Sequence, residues 1–460
     1  MHIIVGAEIR VKDASKELQA WCSKNLVLEN PEYKDRKRWG LWTRNTPQYL
    51  WLYRVEGRDL ILPTGTGKQI RKFMRPGDGA KAKLADNGVL EYHGEVPLYD
   101  YQKTAVDAMR KQSCGILQSP CGSGKTQMGI ALAASLSRRA LWITHTRDLL
   151  VQSYNRAGQY FPPETLGRIT EGAVQIGSHI TFATVQTLSR LDLEKYRYSW
   201  DVVIVDECHR LAGTPTKVTM FYKIMNSLAA RHKYGLSATV HRSDGLIAST
   251  FAVLGPVVYR VPDKAVEEKT MKVRVERKDT GVQVVQSCLD TDGTLVYAKL
   301  ISFLAGDGER NRMIVNDLEQ NREHYNLVLS DRLEHLRTLM GMLPENLKKE
   351  SAMVDGSMTS KRARAERERV IEEMRAGKRH FLFASFSLAK EGLDIPRLDR
   401  LYMTTPKKDY SVVTQSIGRI ARTAEGKAEP VCYDYVDDIA FCVNQYKKRQ
   451  THYRKAGCIL

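Results

Sequence analysis

Hydrophobic runs such as Val202–Val205 and Ile130–Leu136 fall far short of the roughly 20 apolar residues that a membrane-spanning helix needs. Membrane insertion is therefore excluded as an expectation, and no membrane partner is assigned. The N-terminus, MHIIVGAEIRVKD, lacks a basic segment ahead of its apolar residues and meets charge at Glu8, unlike a secretory signal; a cytoplasmic protein is expected. The eight cysteines (22, 114, 121, 208, 288, 432, 442, 458) include no C-x-x-C pair. That excludes both a zinc site of the usual spacing and a disulfide framework, leaving reduced, packing cysteines. No internal repeat is visible.

What is present is charge of one sign. Lys and Arg number 71 against 53 Asp and Glu, a net +18, and an excess of that size favours a polyanionic partner over plain solubility charge. Hydrophobic residues at 42% and charged residues at 27% are ordinary for a folded globular chain, and the 460-residue length suggests about three domains.

Residues 1–95 read as a small α+β unit. His2–Arg10 alternates as a strand, Ala14, Leu18, Trp21 and Cys22 share a helical face, and Leu50–Val55 with Leu60–Leu62 flank a Glu56-Gly57-Arg58 turn. The Gly- and Lys-rich stretch Pro76–Asn87 reads as a linker. From Glu95 short apolar runs alternate with helical stretches, at Gly115–Gln118, Ala140–Thr144, Ile180–Ala183, Val202–Val205 and Tyr234–Leu236, the pattern of a parallel sheet with crossover helices. A second series follows the turn-rich Pro262–Gly281, with strands expected at Leu327–Ser330, Phe381–Ala384, Arg400–Met403 and Val431–Tyr435. The divisions expected are 1–95, 96–262 and 263–460.

Between the first of these strands and a helix lies Ser119-Pro120-Cys121-Gly122-Ser123-Gly124-Lys125-Thr126. Glycines in that context let backbone N–H groups converge on phosphate oxygens, Lys125 reaches the β and γ phosphates, and Thr126 offers its hydroxyl to Mg²⁺. A similar string, Thr64-Gly65-Thr66-Gly67-Lys68-Gln69, has Gln69 where the metal-binding hydroxyl belongs and is read as an exposed basic turn. About 80 residues after the loop, Val202–Val205 runs into Asp206-Glu207-Cys208-His209. Asp206 suits the Mg²⁺ hydration shell and Glu207 the attacking water. Gln415-Ser416-Ile417-Gly418-Arg419-Ile420-Ala421-Arg422 places two arginines on one helical face, suited to the charge that develops on a transferring phosphoryl group.

In this order the motifs resemble those of superfamily 2 helicases, over residues 98–436 or so. That resemblance implies two tandem RecA-like parallel-sheet domains behind the small N-terminal domain, and ATP and Mg²⁺ as cofactors. It also implies roles: Gln102 contacts adenine; Thr144 to Arg147 and Thr184 to Thr187 hold the nucleic-acid backbone, through Arg147, Thr184 and Gln186; Ser237-Ala238-Thr239 couples hydrolysis to movement. In the second half Ser330 and Arg332 resemble motif IV, and Ser385 with Glu391-Gly392-Leu393-Asp394-Ile395-Pro396 resembles motif V, Gly392 and Asp394 facing nucleotide. D-E-C-H followed by Ser-Ala-Thr-Val-His-Arg-Ser-Asp-Gly (237–245), with Arg242 as a further DNA contact, is similar to the XPB-like and UvsW-like DNA helicases, including the branch-migrating type of T5-like phages.

The resemblance therefore implies a monomeric ATP-dependent DNA helicase or translocase acting on branched, forked or single-stranded DNA. An RNA helicase, or a DNA-dependent ATPase without strand separation, stays open, whereas a P-loop kinase or GTPase lacks the Gln415/Arg419/Arg422 motif. Four of the six tryptophans (21, 39, 42, 51) fall in the first 52 residues, interleaved with Lys34, Arg36, Lys37, Arg38 and Arg44. Trp21, Trp51 and Tyr53 sit at periodic core positions; Trp39, Trp42 and Arg38 fit either core or a surface that stacks on bases and grips phosphates. The basic segments 361–379 and Tyr446–Arg449 read as solvated outer helix faces.

Overall fold

Runs of Val, Ile and Leu bounded by turn residues form strands because both of their faces can be covered by crossover helices. The computed structural model describes residues 1–460 except 121, 215–217, 241–243, 268–269, 357, 359 and 392, with backbone alone at 267, 361, 390 and 391. Internal packing divides the chain into one unit of Met1–Pro120 with Gly124–Pro262 and another built on Asp263–Leu460. Among the described residues no helix is long and apolar enough to cross a membrane.

The first unit holds an eight-stranded sheet in the order Ala173–Gln175, Leu166–Thr170, Ile180–Thr184, Ala140–Thr144, Val202–Asp206, His232–Ser237, Cys114–Gln118, Val257–Arg260. Neighbours are parallel except the Leu166–Thr170/Ala173–Gln175 hairpin. Gln118, Thr144, Thr184, Asp206 and Ser237 therefore end their strands along one edge of the sheet, the edge where α/β sheets bind ligands.

Residues from the expected N-terminal domain build a separate five-stranded sheet, ordered Arg54–Glu56, Asp59–Leu62, Ile9–Lys12, His2–Val5, Gly79–Ala82. Three local expectations change here. His2–Arg10 is a hairpin of two strands, turned between Val5 and Ile9. The supposed linker Pro76–Asn87 contains Gly79–Ala82, which pairs parallel with His2–Val5; a Cβ on Gly79 would lie 2.6 Å from His2 Nδ1, so a larger residue there would push the exposed His2 ring aside. Thr64–Thr66 is a 3₁₀ turn with Gly65 and Thr66 buried, not an exposed basic turn. Thr64 Oγ1 donates to Val253 O at 3.0 Å, and the local core of Ile3, Ile9, Val11, Leu18, Leu62 and Ile70 takes in Ala252 of the Ile247–Leu254 helix. Residues 1–95 thus have their own sheet, while their core is continuous with the larger one beside it.

The second unit carries a six-stranded, all-parallel sheet ordered Arg274–Asp279, Val431–Val436, Arg400–Met403, Asn326–Ser330, Phe381–Ser385, Ser351–Val354. Helix Lys361–Arg375 buries Val370 and Met374 against it, as its amphipathic pattern requires. The C-terminal helix Ala440–Lys455 differs from its expected solvated form. Arg449 is fully buried, giving Asp434 two hydrogen bonds of 2.7 Å, because a paired guanidinium can be buried where a lone one cannot; Lys447 and Lys448 stay exposed.

Candidate functional site

The Cys114–Gln118 strand passes into the glycine loop through Ser119, whose backbone N–H donates to Ser237 O at 3.0 Å. Gly122 (φ +82°) and Gly124 (φ +78°) adopt the left-handed conformation that a Cβ penalises. Helix Lys125–Ser135 starts immediately after, so Lys125 and Thr126 occupy its first turn, where free N–H groups and the helix dipole favour an anion. Ser123 is buried, Pro120 half-buried, and Cys121 lies outside the described residues. Gln102, on helix Asp100–Arg110, accepts a hydrogen bond at Oε1 from Tyr99 N at 2.9 Å. A Cβ on Gly124 would lie 2.4 Å from Gln102 Nε2, which puts that amide against the phosphate loop.

Two strands away, Asp206 and Glu207 end the buried Val202–Asp206 strand. Asp206 Oδ1 accepts from Glu207 N at 2.9 Å. Burial and the neighbouring Glu207 charge push the Asp206 carboxyl well above the usual carboxylate range, with Lys125 opposing. Glu207 is half-buried, which by itself would raise it, yet the His209 hydrogen bond and the charges of Lys125, His209 and His145 hold it below the usual carboxylate range. The Lys125 charge thus acts on both carboxylates. Glu207 itself has φ +51°, a strained conformation for a residue with a Cβ. His209 Nδ1 lies 3.3 Å from Glu207 Oε2 and 2.9 Å from Ser237 Oγ, and Ser237 Oγ donates to Thr239 O at 2.6 Å. The carboxylate pair and the Ser-Ala-Thr segment therefore meet at one histidine.

The Thr126 hydroxyl and the Asp206 carboxylate are hard oxygen donors of the kind Mg²⁺ takes, and a buried carboxyl driven upward is a site that a cation would relieve. Among the described residues no cluster of three or more His, Cys, Asp and Glu could cage a metal.

The expected nucleic-acid residues of the first unit gather on the neighbouring strand ends. Thr184 pairs in register with Thr144, and Gln186 Nε2 donates to His145 O at 2.9 Å, tying the two segments together. Arg147 opens helix Arg147–Ala157 and is exposed, as is Gln186. Thr184 is buried and caps the helix that follows it. Arg242 lies outside the described residues.

In the second unit Ser330 and Ser385 face each other in register at strand ends. Ser330 is a correction: it is fully buried, with Oγ 3.0 Å from His335 Nδ1 and accepting from Arg332 N at 3.1 Å. It brackets the turn and leaves the exposed Arg332 to face solvent. His335 Nε2 in turn lies 2.9 Å from Asn311 Oδ1, and burial lowers its pKa to about 3, keeping the ring neutral. Arg419 donates from Nε to Ala389 O at 2.7 Å and from Nη1 to Leu393 O at 2.8 Å. Arg422 Nη1 pairs with Asp394, whose backbone oxygen also accepts from Arg375 Nε at 2.6 Å. Gln415 is buried, and its Oε1 has no hydrogen-bond partner among the described residues. Gly392 lies outside the described residues.

In the first unit's smaller sheet region, helix Pro31–Arg38 buries no side chain at all. Arg38 is exposed, and Trp39 and Trp42 are 67% and 70% exposed, which removes the core alternative for both. Arg36 Nη1 donates to Trp42 O at 3.0 Å and Leu41 N to Arg36 O at 2.8 Å, so the knuckle is braced. Trp21 packs in the core as expected, but Trp51 is 44% exposed, resting edge-on against Tyr53. His209 and His335 were given no role by the sequence; the first sits in a recognisable motif, but nothing local marks the second.

Residues 95–242 match the family described as Type III restriction enzyme, res subunit, and residues 309–424 match the helicase conserved C-terminal domain. The two matches fall on the two large parallel sheets. The chain is a superfamily 2 helicase. It is 24% identical over 355 residues to an ATP-dependent RNA helicase of Acanthamoeba polyphaga mimivirus, covering 76% of this chain and 65% of that one. A helicase of Escherichia phage T5 is 24% identical, covering 74% of this chain and 72% of its own. The DNA 3'-5' translocase XPB2 of Sulfurisphaera tokodaii is 26% identical, with 73% and 80% covered. Among its relatives this ATP-hydrolysing helicase is thus similar to the XPB-type translocases.

Proposed function

We propose that this helicase is an ATP-dependent DNA translocase that opens forked or branched DNA, with Mg²⁺ as its metal. The observation that carries the reading is the single strand edge of the first sheet. It presents the phosphate loop, the Asp206/Glu207 pair and the Arg147/Gln186 segments side by side. Nucleotide state and backbone grip then share one rigid sheet, so a change at the loop reaches the nucleic-acid side without passing through flexible chain.

In this reading Lys125 neutralises β- and γ-phosphate charge, and Thr126 and Asp206 hold the metal. Bound Mg²⁺ would supply charge stabilisation on the phosphate oxygens. Glu207, kept ionised by His209 and Lys125, orients the attacking water and accepts its proton. Arg419 and Arg422 supply the positive charge that the transition state needs. Gln102 and Gly124 set the base end of the nucleotide, and Asp394 holds Arg422.

DNA is preferred to RNA on the Ser237–Gly245 segment, on the relatedness to a DNA translocase, and on the knuckle of Arg38, Trp39 and Trp42. The second reading, an RNA helicase, is favoured by the mimivirus relative. Unwinding on forked DNA, four-way-junction DNA and RNA duplex, measured side by side, tests both. Comparable rates on RNA and forked DNA would overturn the DNA reading, and no preference for branched over linear duplex would overturn the branched one.

A further inference from the structure

Lys427 was given no role by any motif. It follows helix Tyr410–Ile420 and Arg422, where Gly426 (φ +68°) turns the chain back on itself. The turn brings Lys427 Nζ among three backbone carbonyls, Ile420 O at 2.8 Å, Arg422 O at 2.6 Å and Pro396 O at 2.9 Å. An ammonium has three N–H donors, and here each has one acceptor. Two acceptors belong to the segment carrying Arg419 and Arg422. The third belongs to the Asp394–Pro396 segment, which already holds Arg422 through Asp394 and lies next to Leu393, whose carbonyl holds Arg419.

We propose that Lys427 is a positioning residue for ATP hydrolysis, an ammonium clamp that fixes the Arg419/Arg422 segment against the Asp394–Pro396 segment. The inference rests on the reading of Arg419 and Arg422 as the arginines that stabilise the transition state. A side chain placed to act on a transferring phosphoryl group must be held to within about half an ångström. Each guanidinium is attached to a chain segment that ends its helix here, so the segment itself must be anchored. A cation at a helix C-terminus also satisfies carbonyls that the helix leaves open. No hydrophobic residue could do this, because the three carbonyls converge on one point.

The clamp depends on the third proton. A neutral amine keeps two N–H groups and loses both a bond and the charge. Burial lowers the Lys427 pKa to about 8, with Asp399 favouring the ammonium and Arg422 opposing it; Asp394 is already engaged by Arg422 and Arg375. Turnover should therefore fall as pH rises through about 8, and a guanidinium at this position, which does not titrate there, should remove that fall.

The test is steady-state ATP hydrolysis with saturating DNA, using the full chain, from pH 7 to 9.5, for the unsubstituted protein, K427R, K427M and R422A. K427M should lose roughly 10-fold or more in kcat with KM for ATP and DNA affinity within about 2-fold, the pattern of a positioning defect. K427R should restore most of kcat at pH 7.5 and flatten the alkaline limb. A K427M kcat within about 2-fold of the unsubstituted value overturns the proposal, and so does an alkaline limb that is the same in K427R, a comparison that needs only the conservative variant if K427M does not fold. If R422A hydrolyses ATP normally, the arginine reading has failed; if R422A is inactive and K427M is not, the clamp alone has failed.

Discussion

A Cβ on Gly65 would lie 2.2 Å from the backbone nitrogen of Gly255, and 2.6 Å from the carbonyl oxygens of Phe251 and Ala252. Gly65 stands in the string that imitates a phosphate loop, and it serves instead as the point where the N-terminal sheet region meets helix Ile247–Leu254 of the large sheet. Further ties reinforce the junction. Ala85 N donates to Ala229 O at 2.8 Å, and Asn87 engages both carboxylate oxygens of Asp201.

Gly65→Ala should therefore lower stability by about 1–3 kcal/mol, the usual cost of overpacking a backbone contact, while Gly57→Ala, with open space around it, should cost only the strain of its positive φ. Thermal melts of the two variants compare them directly. For the same reason deletion of residues 1–87 should yield a poorly soluble motor. A well-folded truncated ATPase would show that the junction is dispensable.

Lys233 sets a pH dependence of the fold itself. It is buried, its Nζ donating to Ala7 O at 2.9 Å and Met225 O at 2.6 Å, two acceptors for the two N–H groups of a neutral amine. Burial lowers its pKa to about 7. Between that value and the unfolded-state value near 10.4, the unfolded chain binds more protons than the folded one, so stability must rise with pH across this window. Melting temperature should increase from pH 7 toward 9.5, and Lys233→Met should lose the increase while destabilising the protein at all pH values through two stranded carbonyls.

Lys125→Ala should abolish ATP turnover and leave DNA binding nearly intact, because the Lys125 charge acts on the carboxylate pair, whereas Arg147 and Gln186 lie on other strand ends. Filter binding alongside a phosphate-release assay separates the two. Turnover like that of the unsubstituted protein would mean that the phosphate loop is misassigned.

Glu207→Gln keeps the shape of the side chain and the Asp206 donor but removes the charge that His209 and Lys125 stabilise. ATP affinity should be retained and hydrolysis nearly lost, so that ATP traps a long-lived complex on DNA. Equal losses of affinity and rate would contradict the water-activating role.

Trp39→Ala and Trp42→Ala should weaken DNA binding with little change in its salt dependence, since stacking releases few ions. Neutralising Arg36, Lys37, Arg38 and Arg44 together should lower the salt slope by about 0.7–0.9 for each phosphate that is no longer neutralised. Unchanged binding in both sets would leave the exposed knuckle without a nucleic-acid role.

The sequence by itself determined the motor's chemistry and its sheets. Strands such as Val202–Asp206 are buried on both faces and so read as unbroken apolar runs, and the glycine loop with Lys125 and Thr126 is a local structure whose conformation follows from its own residues. Tertiary structure decided what depends on residues far apart in the chain. Gly79–Ala82 has the composition of a linker and becomes a strand only because His2–Val5 lies beside it. Arg449 reads as surface charge until Asp434 pairs with it, and Ser330 as a nucleic-acid ligand until His335 covers it. Lys233 and Lys427 are alike as letters. One is fully buried with two carbonyls at its nitrogen and the other half-buried with three, a difference in surroundings that only folding brings about.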